Sequence, residues 1–128
     1  MIKKNILIVE DNKDLRESWD MFFNNFGVYI HFASNGLEAE EIINQYPLEI
    51  VVTDVQMPVK DGYFVLECAK SKNIDTTVWA CSGHLILEQK VENKYNFDKI
   101  LIKPFDMLVT VKELISITSE KNANPTCI

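Results

Sequence analysis

Five side chains in this sequence could share one piece of chemistry. Glu10 and Asp11 stand together, Asp54 stands alone, Ser82 follows, and Lys103 comes last, beside Pro104. Three carboxylates that crowd together repel one another unless a cation or a proton intervenes. A hard cation such as Mg²⁺ takes oxygen ligands, often one or two carboxylates together with water and a phosphate. The ammonium of Lys103 offers that phosphate a point charge. Asp54 is then available as a nucleophile, because carboxylates form acyl phosphates in some phosphoryl-transfer proteins. Such a transfer needs chiefly positioning and charge neutralisation. The chemistry predicted is Mg²⁺-assisted phosphoryl transfer to Asp54. Each of the five residues also has an ordinary role when taken singly, since a carboxylate just past a strand is commonly solvated or caps a helix. The prediction therefore depends on the elements that would bring them together.

Ile6-Leu7-Ile8-Val9 and Ile50-Val51-Val52-Thr53 are apolar, β-branched-rich runs that predict strands buried on both faces. Tyr29 to Ala33, Thr77 to Cys81 and Ile100 to Ile102 predict three more strands. Between them, Leu15, Trp19, Phe22, Phe23 and Phe26 recur at helical spacing, with Asn12 or Asp14 as the cap and Gly27 where a stop belongs. Leu37, Ala39, Ile42 and Ile43 mark a second helix, preceded by Ser34-Asn35-Gly36 and closed before Pro47. Phe64, Val65, Cys68 and Ala69 mark a third, Leu85 to Tyr95 a weaker fourth, and Met107 to Thr118 the last. From Ser119 the chain turns polar and is expected to fray. One α/β domain over residues 1–120, with a tail at 121–128, is the organisation expected. Strands that alternate with helices five times predict a parallel sheet covered on both faces. Such sheets bind ligands at the carboxyl ends of their strands. Glu10-Asp11, Asp54, Ser82 and Lys103 end the first, third, fourth and fifth predicted strands, which is why they are expected to converge.

Bulk properties exclude several classes. The formal net charge of −6 argues against direct nucleic-acid binding, which needs Lys and Arg at phosphates. No apolar run approaches the roughly 18 residues required to span a bilayer. The opening Met1-Ile2-Lys3-Lys4-Asn5 leads into only four apolar residues, too few for a signal peptide, so a cytoplasmic protein is expected. Cys68, Cys81 and Cys127 are odd in number and match no zinc spacing, and the first two are expected to pack as small hydrophobes. Gly27, Gly36, Gly62 and Gly83 are too scattered for a dinucleotide loop or a P-loop.

The sequence resembles the receiver domains of two-component response regulators over about residues 3–120. The likeness is carried by Ile6 to Asp11, by Asp54-Val55-Gln56-Met57-Pro58-Val59-Lys60-Asp61-Gly62, by Cys81-Ser82-Gly83 and by Lys103-Pro104-Phe105. The resemblance implies a flavodoxin-like, doubly wound sheet of five parallel strands in the order 2-1-3-4-5. It implies that Asp54 receives the phosphoryl group and that Asp11 binds Mg²⁺ directly, with Glu10 acting mostly through water. The backbone carbonyl of Gln56 would be a further ligand. Ser82 would hydrogen-bond a phosphoryl oxygen, Lys103 would pair with it, and the Lys103–Pro104 bond would be cis, an isomer cheap only before proline. Partners would be a histidine kinase or histidine phosphotransfer protein and an unknown downstream protein. The domain would promote its own phosphorylation and dephosphorylation without turning over a separate substrate. A receiver-like interaction module that works without phosphorylation is the main alternative. A haloacid-dehalogenase-type phosphatase would need an acid where Gln56 stands.

Four positions depart from the common pattern. The acidic pair is Glu-Asp, and Ser82 replaces the commoner Thr. Ile100 stands three residues before Lys103, where many members carry a switching aromatic ring. Asn96 stands where a Gly commonly ends the fourth helix, and its tolerance of the left-handed conformation would keep that cap. With Ile100 unable to act as the ring does, movement of the fourth helix is expected to carry the switch. The apolar triplet Leu85-Ile86-Leu87 would then change exposure, and His84 would sit at the rim of the cleft.

Overall fold

The β-branched runs pair as strands because such side chains suit a pleat covered on both sides. In the computed structural model, which describes residues 4–83 and 94–122, β1 is Lys4–Val9, β2 Val28–Ala33, β3 Ile50–Asp54, β4 Thr77–Ser82 and β5 Lys99–Ile102. The helices are α1 (Lys13–Phe23), α2 (Gly36–Gln45), α3 (Gly62–Lys72) and α4 (Met107–Asn122). All strand pairs are parallel, and the sheet runs β2-β1-β3-β4-β5, the order expected. Register aligns the strand ends. Val9 lies beside Ala33 and Thr53, Asp54 beside Cys81, and Ser82 beside Ile102.

Successive side chains along each strand face opposite layers, and those two apart share one. Leu7, Val9, Val51, Val78 and Ala80 pack under α2 and α3 against Ala39, Ile43, Val65, Leu66 and Ala69. Ile6, Ile8, Ile50, Val52, Trp79 and Leu101 pack on the other face against Trp19 and Phe23 of α1 and Val111 and Leu114 of α4. Trp79 is thus core, as is Cys81, whereas Cys68 is only half-buried, with its thiol 3.8 Å from Glu40.

Helix ends differ from the sequence reading at several points. Asn12, not Asp14, caps α1, and its Oδ1 accepts from the Leu15 amide at 3.1 Å. The helix stops at Phe23 with Asn24 as its C-cap. Phe26 lies in the following turn, held by its N–H to the Phe23 carbonyl at 3.0 Å. Gly27 therefore does not end the helix, and it adopts no positive φ. At the far end, α4 continues through Asn122, past the expected stop at Thr118, because neither Gly nor Pro interrupts it. Asn96 is not left-handed; among the described residues only Val59 (φ 53°) and Lys60 (φ 73°) have positive φ without being glycine. His84 and the predicted helix at 85–95 lie outside the described residues, apart from Lys94 and Tyr95, which form a bend.

Candidate functional site

The buried strands set the position of the acids. Glu10 follows β1, its N–H donates to the Ala33 carbonyl at 2.9 Å, and only 3% of the residue is exposed. Asp11, one step further, is exposed. The backbone between β1 and α1 is tied by the Asn12 amide, which donates to Glu10 Oε2 at 3.2 Å, and by the Asn12 cap. A second tie was not legible in the sequence. Arg16 Nη1 donates to the carbonyls of Glu10, at 2.8 Å, and Asp11, at 3.1 Å.

Asp54 is the last residue of β3 and is buried. Its neighbours fix the chain on both sides: Thr53 Oγ1 donates to the Asp54 carbonyl at 2.9 Å, and the Val55 amide donates to the Cys81 carbonyl at 3.0 Å. The chain then turns through Gln56 to Asp61, and Asp61 caps α3 through Oδ1 to the amides of Tyr63 and Phe64. Gly62 is required where α3 begins, because a Cβ there would collide with the Asp54 carbonyl oxygen and come within 2.8 Å of Val55 Cα. A left-handed β-branched residue such as Val59 costs about 1–3 kcal/mol and persists only where its surroundings enforce it. One such enforcement is the start of α2: a Cβ on Gly36 would lie 2.7 Å from Lys60 Cβ. The sequence signal for this contact was the Asn35-Gly36 pair, read only as a helix start.

Lys103 enters from the other side. Its amide donates to the Ser82 carbonyl at 2.8 Å, extending the β4–β5 ladder, and the Lys103–Pro104 bond is cis as expected. Its ammonium lies 2.8 Å from Asp54 Oδ1 and 3.5 Å from Glu10 Oε1. Carboxylate oxygens of Glu10, Asp11 and Asp54 all lie within 4.8 Å of one another. Four of the expected residues are thereby brought together. Ser82 ends the neighbouring strand one register step beyond Asp54 and is buried. Gln56 is exposed in the loop two residues after Asp54, and no described contact joins its carbonyl to the acids.

The electrostatics follow from this crowding. Burial, then the hydrogen bond and the charge of Asp54, push the Glu10 carboxyl up to about 8, against the opposing pull of the Asn12 amide and Lys103. A proton on Glu10 therefore relieves part of the repulsion at neutral pH. For Lys103, burial pulls downward, but the hydrogen bond and charge of Asp54 and the charge of Glu10 outweigh it, so its pKa is raised. Beside these charges opens a groove of about 370 Å³ lined by Leu15, Trp19, Pro104, Phe105 and Met107. Ile100 is half-buried and packs against the α2–α3 core.

A parallel sheet of this order, with acids gathered at its carboxyl edge, defines a class, and the comparisons identify it. Residues 6–115 match the response regulator receiver domain family, and the chain belongs to it. It is 30% identical over 111 residues to the response regulator RR06 of Streptococcus pneumoniae, covering 86% of this chain and 51% of that protein. It is 25% identical over 116 residues to the regulator of RpoS of Escherichia coli K12, covering 90% of this chain and 34% of that protein. The chain thus spans about half and about a third of those two proteins. It covers 93% of the response regulator receiver protein CpdR of Brucella abortus, at 27% identity over 112 residues, or 87% of this chain. Among solved structures, the receiver domain of the Francisella response regulator 1452 is similar, with a TM-score of 0.74 and 29% identity over 91% of this chain and 99% of that one. The signal receiver domain of an HD-domain protein from Pseudomonas fluorescens Pf-5 shares the fold at TM-score 0.83 and 17% identity, over 96% and 100% of the two chains. No described helix is long and apolar enough to cross a membrane.

Proposed function

We propose that this receiver domain accepts a phosphoryl group on Asp54 with Mg²⁺ as cofactor and passes the resulting change of shape to a partner protein. The observation that carries the reading is the set of three carboxylates whose oxygens lie within 4.8 Å, two of them buried, with one ammonium at the same point. An all-oxygen set of hard donors fits Mg²⁺. Glu10, Asp11, Asp54 and the carbonyl of Gln56 would hold it. When bound, the ion supplies charge neutralisation at the phosphoryl oxygens. An Asp54 carboxylate oxygen attacks the phosphorus of a phosphohistidine, the phosphorus–nitrogen bond breaks, and the electron pair leaves on the imidazole, which takes a proton. Lys103 pairs with the charge on the transferred group, and the Ser82 hydroxyl donates to one of its oxygens. Glu10 must give up its proton before its carboxylate can serve the cation. The donor in this reading is a histidine kinase or a histidine phosphotransfer protein, met in the cytoplasm, and the downstream partner is a protein. The domain acts as a signalling module and turns over no separate substrate.

Acetyl phosphate with Mg²⁺ tests the assignment on the isolated chain. Wild-type protein should take up an acid-stable, base-labile label, and Asp54→Asn should take up none. Undiminished labelling of the variant removes Asp54 from the role.

A further inference from the structure

Asp11 is the acid with the least side-chain support. Glu10 is buried and accepts from the Asn12 amide, and Asp54 meets Lys103. The carboxylate of Asp11 is exposed, so its place in the cluster is set by the backbone of the turn between β1 and α1. That backbone carries two carbonyls, of Glu10 and Asp11, just where the strand ladder ends, and the part-buried one of Glu10 needs a donor. Both receive one from the same atom, Arg16 Nη1, at 2.8 and 3.1 Å.

Several features make this contact more than a surface bond. Arg16 is the only arginine in the chain. It lies one turn into α1, and its own amide donates to the Asn12 carbonyl at 3.0 Å, which sets the helix relative to the turn. A guanidinium is planar, always charged and weakly hydrated, so it can bridge two carbonyls where a lysine ammonium would prefer water. Glu38 Oε1 accepts from the Ser34 amide and hydroxyl at 2.8 Å each. Glu38 is thus fixed at the start of α2, and its charge interacts with that of Arg16.

We infer that Arg16 is a positioning residue for the metal site: by bridging the carbonyls of Glu10 and Asp11, it fixes the turn from which both carboxylates project and so holds Asp11 within reach of Asp54. This rests on the reading of the acids as a Mg²⁺ site. Residues that orient a metal's direct ligands commonly cost 10–100-fold in affinity when removed. An arginine that merely fastened α1 to the sheet would cost stability and leave the metal affinity alone.

Titration calorimetry with Mg²⁺ on the full chain separates these roles. Arg16→Gln should bind Mg²⁺ about tenfold more weakly than wild type, and its labelling by acetyl phosphate should recover as Mg²⁺ is raised to saturation. Thr76→Ala, which loses the bond from Thr76 Oγ1 to the Leu48 carbonyl at the opposite end of the sheet, serves as a stability control. It should melt lower yet bind Mg²⁺ as wild type does. Wild-type affinity in Arg16→Gln, or an equal loss of affinity in Thr76→Ala, overturns the inference. If Arg16→Gln does not fold, Arg16→Lys decides. A weakened affinity supports the role, and an unchanged one overturns it. A wild-type protein that binds no Mg²⁺ instead sinks the proposed function and this inference with it, an outcome distinct from the failure of Arg16 alone.

Discussion

The two ends of the sheet both bury charge and treat it in opposite ways. At the amino ends of the strands, Lys70 is 9% exposed and meets Asp98 Oδ2 at 2.8 Å, and the same oxygen accepts from the Val78 amide at 2.8 Å. Lys4 pairs with Glu49 at 3.5 Å, and the ammonium of Lys72 closes the end of α2 on the carbonyls of Ile43 and Tyr46. Those charges are matched one to one or laid on carbonyls. At the carboxyl ends, Glu10, Asp11 and Asp54 cluster together, and the ammonium of Lys103 pairs with Glu10 and Asp54. Gathering like charges out of water is unfavourable unless something completes the set. The amino end is finished by the chain itself. The carboxyl end is left with an excess of negative charge, which is what the proposed cation site requires. Polar groups at strand ends thus indicate function by their imbalance more than by their presence.

The largest effect that could break this contrast is chemical. Loss of all labelling in Asp54→Asn is expected, while Asp98→Ala, at the matched end, should label as wild type does once corrected for folded fraction. Equal loss in both variants would mean that labelling reports only folding.

The next effect concerns Mg²⁺ and stability. A ligand that binds only the folded state at a hundred times its Kd stabilises it by about 2.7 kcal/mol. Mg²⁺ should therefore raise the melting temperature at neutral pH, and Asp11→Ala should lose most of that rise. A full response in Asp11→Ala removes Asp11 from the site. The metal-free protein should also respond to pH through Glu10, which the fold raises from 4.5 to about 8. A carboxyl whose pKa is raised on folding contributes most below its unfolded value, so stability is lost as pH climbs from about 4.5 through 8. In Glu10→Gln this decline should flatten, as thermal melts between pH 5 and 9 without Mg²⁺ would register.

How far these features were legible depends on what each residue forces. The runs at Ile6–Val9 and Ile50–Thr53 have few alternatives to buried parallel strands, and the strand order followed from the family likeness. Glu10, Asp11, Asp54 and Lys103 converge because a parallel sheet collects its strand ends. Gly27 and Asn96 misled because glycine and asparagine permit a left-handed stop without requiring one. The left-handed pair went instead to Val59 and Lys60, against local preference, since Gly36 and Gly62 hold the loop from both sides. Arg16 was invisible because its partners are backbone carbonyls, which no side-chain pattern announces.

A smaller effect probes the finished end directly. Asp98→Ala takes the counter-charge from the Lys70 ammonium and leaves it the Ile74 carbonyl at 3.5 Å. Breaking a buried pair costs about 3–5 kcal/mol when both partners are enclosed. Asp98 is 43% exposed at its side chain, so water can reach the gap, and about 2 kcal/mol is expected. The Val78 amide loses an acceptor as well, so Lys70→Met, which removes the charge and leaves that acceptor, should cost less. Denaturant melts that place Lys70→Met at or above the cost of Asp98→Ala would show that the charge match does not dominate there.

The smallest effect lies at His31, and it sharpens the contrast by its sign. Nε2 of His31 donates to Asn5 Oδ1 at 3.0 Å, and the ring stacks on Tyr46 with centroids 4.3 Å apart. Burial lowers its pKa below 6.5, because the charged ring would lose hydration there. A group whose pKa is depressed on folding contributes fully above its unfolded value, and that contribution is lost as pH falls below 6.5 through the folded value. The two titrating groups therefore act in opposite directions. Glu10 weakens the metal-free fold as pH rises, and His31 weakens it as pH falls. Because His31 is only half-buried, solvent screening should hold its share below about 0.5 kcal/mol. His31→Gln keeps a donor for Asn5 and cannot take up charge in this range. Its stability between pH 7 and 5, measured without Mg²⁺ and relative to wild type, should gain by that small amount as the pH is lowered. A relative loss on acidification would mean that the ring is more readily protonated in the folded chain than in the unfolded one, and the difference in sign between the two groups would then vanish.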